Sequence, residues 1–510
     1  MASKIFMGDM PELMENILNN LNNEFYSLYS CALVSRHWCS MSIPILWRDP
    51  FSFDDRKPPS FISRYFSYLD EDEKFDLKEY GIIIDFPITV FHYARFLKVL
   101  DLFRLEDKVQ KWINFQYINP QKHINILKDD IANLLFKLFI KSGTTLSKLN
   151  IRISEFIIKP EIFYSLGQNE LFFSRLQDVS VEAISDEYNI DETIMLLRIL
   201  AKNSIKIHTL KLNVFEDIYG PQIYHTFASI VRAQEQLKRF NLIYEAEFQA
   251  KFNGIVSALG NQRKSLQEIK IHGCAYDAEF EVLMNCEKLE VLRIFYGDEQ
   301  ELLKLLVAGF CKFNTLEIMT TQLNASGVLQ FLEKSSSLLQ RLKLHSDEDI
   351  LFQVPLLETL TTFCPNITYL YISRLTLSKQ LVKLIENLKK LQFFTLKWSN
   401  YDSENAVKEL VIELAKILPS TLQYLYWECF NFQSNSFNDI LLDYCDAPLK
   451  KLLINVDCDE KIIKALIGFC IRKGSLKYVN DISRTDYDYL EEDLEGYAKP
   501  VSRDFIEVNC

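Results

Sequence analysis

The sequence predicts an α/β chain: a short segment of three helices, then a long solenoid that forms a horseshoe of parallel strands and returning helices. Two observations carry this expectation. The motif L-x-x-L-x-L/I, with conservative apolar substitutions, begins at Leu146, Leu176, Ile207, Leu237, Leu266, Leu289, Phe313, Leu339, Ile367, Leu391, Leu422, Leu449 and Leu476. The N-terminal stretch instead places its apolar residues at helical spacing. Bulk composition agrees, since 510 residues with 48% hydrophobic content exceed what one ordinary domain of about 100 to 200 residues requires. Several domains or one repeat array follow. With only 14 Gly and 14 Pro and no low-complexity tract, the chain reads as folded almost throughout.

In the N-terminal segment Leu13, Ile17 and Leu21 recur every four residues, on one face of a helix that Pro11 can open because its first turn needs no N–H. After Asn22 and Asn23, the residues Leu28, Cys31, Ala32 and Ser35 repeat the helical spacing, with Val34 and Trp38 as a neighbouring strip. Pro44, Leu46 and Trp47 close the segment. Three such short helices bury little surface alone, so a neighbour is expected to complete their core.

These residues resemble the F-box family: Met10-Pro11-Glu12-Leu13 with Ile17-Leu18 and Leu21, then Leu33-Val34-Ser35-Arg36-His37-Trp38, then Pro44-Ile45-Leu46-Trp47. Met10 stands where Leu is usual, and the spacing from Pro11 to Ile17 is one residue short of the commonest pattern. The resemblance implies docking onto the Skp-type adaptor of a Skp-cullin-F-box (SCF) ubiquitin ligase and, through it, onto cullin. By position it implies adaptor contacts at Pro11, Leu13, Ile17, Leu21, Leu28, Cys31, Val34 and Trp38. The same residues could simply hold the three helices together, and pattern alone does not separate the two roles.

The charged, proline-bearing run from Asp54 to Ser60 marks the best boundary in the chain. The division is then 8–50 for the F-box, 51–95 for a linking and helical region, 96–482 for the solenoid and 483–510 for an acidic tail or cap. The motif's thirteen copies are spaced 23 to 31 residues apart, about 27 on average, inside the roughly 20-to-29 range of leucine-rich repeats. Its fourth and sixth positions share one face of a strand by two-residue alternation, and the first enters the same core just before it. Apolar residues at helical spacing between motifs, such as Ile255, Val256 and Leu259, or Leu381, Leu384, Ile385 and Leu388, supply the returning helix. One such unit cannot cover its own apolar edge, so neighbours stack. The asparagine of the plain repeat consensus is largely absent. Leucine-rich repeats commonly follow an F-box, so the two resemblances agree.

Third, fifth and seventh positions of the motif alternate outward. They give a basic stripe of Lys211, Arg239, Lys270, His272, Arg293, Arg341, Lys343 and His345, then an aromatic stretch of Tyr369, Tyr371, Phe393, Tyr424 and Tyr426. One expectation is a target-binding face at Lys211, Arg239, Lys270, Arg293, Arg341, Lys343, Tyr369, Tyr371, Tyr424 and Tyr426, with an acidic or phosphorylated segment on the basic part. The plainer alternative is that such residues merely suit exposed strands. The acidic run Asp486 to Glu495 either folds back over the basic stripe or is a solvated end.

A net charge of −12 speaks against general binding to nucleic acid or to anionic membrane. No signal-peptide core or bilayer-length apolar run is present, and eleven scattered cysteines form no CxxC pair. A reducing cytoplasmic or nuclear location is expected. The glycines form no phosphate-binding or nucleophile-elbow motif, and the seven histidines show no metal-ligand spacing. The chain is therefore expected to be no enzyme and to need no cofactor or metal. Its expected role is substrate recognition for ubiquitination. The rival is a non-degradative repeat scaffold.

Overall fold

Each of the thirteen motifs opens a β-strand two residues after its first position, and every first-position residue is buried. The structure, a computed structural model, describes residues 11–22, 24–52, 59–79, 82, 89–116, 124–153, 157–183, 190–214, 220–244, 254–297, 299–308, 312–335, 337–399, 403–430, 437–455, 460–482 and 494–508. Met10, most of the Asp54 to Ser60 break and the acidic run up to Asp493 lie outside the described residues. The chain divides into two units, Met1–Glu247 with Phe252–Gln262, and Phe248–Lys251 with Arg263–Cys510.

The first unit begins with helices α1 (Pro11–Asn19), α2 (Phe25–Ala32) and α3 (Arg36–Leu46). Helical spacing put Ser35 on the second helix, but that helix stops at Ala32. Ser35 instead caps α3 with its hydroxyl, which accepts from the Trp38 N–H at 3.2 Å. A serine hydroxyl stabilises a helix start better than a helix interior, so capping wins over periodicity. Strands β1 (Val99–Asp101), β2 (Lys148–Ile153), β3 (Asp178–Ala183), β4 (Thr209–Val214) and β5 (Arg239–Tyr244) follow in parallel, each beside its predecessor. The register aligns Leu100, Leu149, Val179, Leu210 and Phe240, so fourth positions stack on fourth positions.

The helical segment and the array are continuous. The N–H groups of Lys98 and Val99 both donate to the Arg48 carbonyl, just as Ser147 and Lys148 donate to Lys98 one copy later. Arg48 thus takes the place of a preceding repeat, and Trp47 stacks on Tyr93 with ring centroids 3.9 Å apart.

The missing asparagines have a replacement in this unit. The buried Gln234 amide accepts from the Ile207 N–H and donates to the Ser204 and Ile230 carbonyls. Gln262 repeats this one copy later, accepting from the Leu237 N–H and donating to Val231 and Gln234. Backbone groups entering the strand would otherwise be buried unpaired.

The second unit holds β6 (Glu268–His272), β7 (Val291–Phe295), β8 (Thr315–Thr320), β9 (Arg341–Ser346), β10 (Tyr369–Thr376), β11 (Phe393–Ser399), β12 (Tyr424–Cys429), β13 (Lys451–Ile454), β14 (Tyr478–Asp481) and β15 (Lys499–Pro500), again parallel and in order. Its fourth-position row runs Ile269, Leu292, Leu316, Leu342, Leu370, Phe394, Leu425, Leu452 and Val479. The returning element is an α-helix in most copies. In the shortest copy, between Leu266 and Leu289, it is the 3₁₀ helix Ala278–Asn285, whose roughly 2 Å rise per residue covers the return with fewer residues.

Candidate functional site

Two surfaces concern function, and each belongs to one unit. In the first, α1 carries two adjacent apolar stripes. Met14 and Leu18 are fully buried and join Leu28, Ala32 and Leu46 in a small core, against which Leu21, Cys31 and Trp38 pack partly exposed. Leu13 and Ile17, on the other stripe, are 47% and 46% exposed. The turn between α2 and α3 adds Leu33 at 71% and Val34 at 63%.

Of the residues singled out from sequence, Leu13, Ile17 and Val34 therefore face solvent, and Leu28, 1% exposed, is core. Leu21, Cys31 and Trp38 sit between these extremes; the Pro11 side chain lies outside the described residues. Sequence reasoning did not single out Leu33, Tyr26 and Tyr29, all exposed. Leu33 stood inside the quoted motif next to Val34, which was the available signal. Exposed apolar groups at this density, on helices whose own core is already filled, make this face the candidate interaction surface of the segment.

The second surface is the outward face of β6 to β14. Here the basic stripe is interleaved with carboxylates. Arg293 bonds Glu268 at 3.0 Å and Glu317 at 2.5 Å, and Lys343 bonds Glu317 at 2.7 Å. Glu268 and Glu317 occupy third and fifth positions themselves, so reading every outward position, rather than the basic ones, would have found them. The cations also lie over rings of the next copy: Lys270 over Phe295, Arg341 over Tyr369 and Lys343 over Tyr371. His345 reaches Tyr371 Oη at 3.2 Å through Nδ1. Burial holds its pKa below 6.5, against the opposing pull of Asp347. In the first unit, Lys211 and Arg239 are exposed on β4 and β5, where Arg239 donates to Thr209 Oγ1.

The tyrosines do not face solvent. Tyr369, Tyr371, Tyr424 and Tyr426 are all buried, because the C-terminal residues cross over them. Lys499–Pro500 extends the sheet beside β14, the short helix Arg503–Ile506 follows, and Ile506 packs with Tyr424, Tyr426 and Leu453. Tyr369 Oη donates to the Val508 carbonyl at 3.0 Å. Burial pushes the phenols of Tyr371, Tyr424 and Tyr426 well above their ordinary value.

A helical segment with an exposed apolar face, joined to an array of leucine-rich-repeat units, defines the class of protein. Residues 11–52 match the F-box-like family model, so the chain carries an F-box-like domain at its N-terminus. Among solved structures, the chain is similar to one in the yeast Rad7 and Elc1 complex, at 12% identity and a TM-score of 0.37, with 79% of this chain and 93% of that one covered. A leucine-rich-repeat protein of Leptospira interrogans gives 14% identity and a TM-score of 0.30, with 71% and 91% covered. No curated protein matches the chain by sequence. Among the described residues no helix is long and apolar enough to cross a membrane.

Proposed function

We propose that this chain is the substrate-recognition subunit of an SCF-type E3 ubiquitin ligase. Its F-box-like domain docks a Skp-type adaptor, and its repeat array binds the protein to be ubiquitinated. The observation that supports this most is the exposed set Leu13, Ile17, Leu33 and Val34 on a domain that matches the F-box-like model. The adaptor covers that set and completes the apolar contact that the three helices leave open to water. The array then holds the target at a high effective concentration near a ubiquitin-conjugating enzyme. In this reading the transfer chemistry belongs to that enzyme, and the chain contributes proximity without catalysis. Cullin joins through the adaptor, in the cytoplasm or nucleus.

A pull-down checks the proposal with three proteins: the full chain, the chain starting at Ser60, and the full chain with Leu13→Glu and Val34→Glu. Adaptor and cullin should be recovered with the first, and at least about tenfold less with the other two, the loss expected when charges replace central apolar contacts. Equal recovery from all three sinks the reading. Adaptor without cullin favours the non-degradative scaffold.

A further inference from the structure

The outward face of β10 to β13 differs chemically from the face of β6 to β9. Its third and fifth positions are Tyr369, Tyr371, Phe393, Thr395, Tyr424, Tyr426, Lys451 and Leu453, an aromatic floor where the neighbouring copies carry charge. Tyrosine offers large contact area with little rotamer freedom to lose and a hydroxyl for a backbone group, the composition of a recognition surface. What lies on this floor is a peptide of the chain's own making. It runs from β14 back to β10, inserts the single fully buried side chain Ile506 among Tyr424, Tyr426 and Leu453, and offers its Val508 carbonyl to Tyr369.

The electrostatics of the contact are directional. Arg503 lies over the Tyr426 ring at 5.4 Å, on which Lys397 also sits at 4.7 Å, and Arg503 pairs with Glu507 at 2.9 Å. Tyr426 Oη donates to Glu428, which holds Lys397. The attachment is light for a structural cap. Between Val501 and Val508 only Ile506 is fully enclosed, and Val501 and Val508 pack half-buried beside it. Val501 is hydrogen-bonded to Val479 and Asn480, and Phe505 meets Tyr478 edge-on. Ser502 to Phe505 are exposed, and the edge strand is two residues long.

We propose that the aromatic floor of β10 to β13 is a peptide-binding site and that residues 501–508 are its internal ligand. A partner protein displaces them with a segment of the same chemistry: a basic residue, one position of free choice, then aromatic, aliphatic, acidic, aliphatic, as in Arg503-x-Phe505-Ile506-Glu507-Val508, where Phe505 meets the Tyr478 ring edge-on at 5.3 Å. The tethered segment competes at an effective concentration on the order of millimolar, so the site opens only to a segment that binds more tightly or is itself held close. The floor is where a target would seat if the chain is a receptor, so the inference deepens that reading. Its test reads peptide binding alone, and failure would leave adaptor docking untouched.

The test uses the full chain with Ile506→Asp, which puts a carboxylate into the anchor pocket, and a fluorescein-labelled peptide of residues 501–508. Fluorescence anisotropy should show saturable binding to the variant, at least about tenfold tighter than to the unaltered chain, whose site is filled in cis. Peptides carrying Ile506→Asp or Arg503→Glu should lose that binding. Four outcomes overturn the proposal: no binding to a variant that keeps a cooperative thermal transition, equal binding to both chains, equal binding of all three peptides, or loss of the cooperative transition, which would make the segment an integral cap. Concentration-dependent dimerisation of the unaltered chain with exchange of the segment would name a second copy as the occupant and overturn it too.

Discussion

Single residues on the outward face already sort into those that can be probed for binding and those that hold the sheet together. Glu317 is the hinge of the basic stripe: its side chain is 6% exposed and it answers both Arg293 and Lys343. Glu317→Ala would leave Arg293 with Glu268 and take from Lys343 the carboxylate it pairs with. A loss of about 2 to 4 kcal/mol is expected from removing one partner of such a pair, read as a fall in denaturant midpoint. Arg293→Glu would bring a third carboxylate between Glu268 and Glu317 and disturb folding as much as recognition, so Lys211 and Arg239, exposed on the other unit, are the cleaner probes of target charge. His345 makes a pH prediction. Its folded pKa lies below the ordinary 6.5 because burial disfavours the imidazolium. Its contribution to stability is thus complete above 6.5 and is lost as pH falls through the folded value. His345→Gln should flatten the decline in thermal midpoint between pH 7 and pH 5, and an unchanged decline would assign it to other groups, including His92, whose pKa burial also lowers.

At the level of elements, what could be read from the sequence was whatever repeats. Thirteen strands begin where the motif put them because first, fourth and sixth positions all enter one core, and a shift of one residue would expose the whole set. Which stripe of α1 points inward was not legible: Met14 with Leu18 and Leu13 with Ile17 are both apolar pairs four apart, and only the packing of α2 and α3 chooses between them. Ser35 was misplaced for a related reason, since spacing ignores the hydroxyl that α3 needs. Ser35→Ala should cost about 1 kcal/mol, visible as a lower thermal midpoint without change in the spectrum of the repeat array. Helix-to-helix distance is set by a residue that no period announces. A Cβ on Gly327 would stand 2.9 Å from the Gln300 carbonyl of the preceding helix. Gly327→Ala should therefore destabilise by about 1 to 3 kcal/mol, the cost of overpacking a site bounded by backbone, although alanine alone would favour the helix. A neutral or stabilising result would mean that these helices slide apart freely.

On the scale of the whole molecule, the C-terminal crossing could not be read from the sequence, because nothing in Ile506 specifies Tyr424 and Tyr426, and nothing in Val508 specifies Tyr369, all far earlier in the chain. Local period builds the array, and chance of position along it decides which outward residues meet the returning segment. The array's own energetics follow from its nearest-neighbour construction, in which each copy is stabilised by the copies on either side. Leu342, fully buried, stands in register between Leu316 and Leu370. Leu342→Ala removes packing against both neighbours and should cost about 2 to 5 kcal/mol. The damage should also be local. Amide hydrogen exchange should rise in β8, β9 and β10, while β13 and β14 keep their protection and the exposed helices α1 to α3 are unaffected. Val34→Glu, on the exposed turn, should change global stability by no more than about 0.5 kcal/mol and leave exchange in every strand as it was. A uniform rise along the array in Leu342→Ala would instead make each unit a single cooperative block, in which target binding at one copy would be felt at all the others.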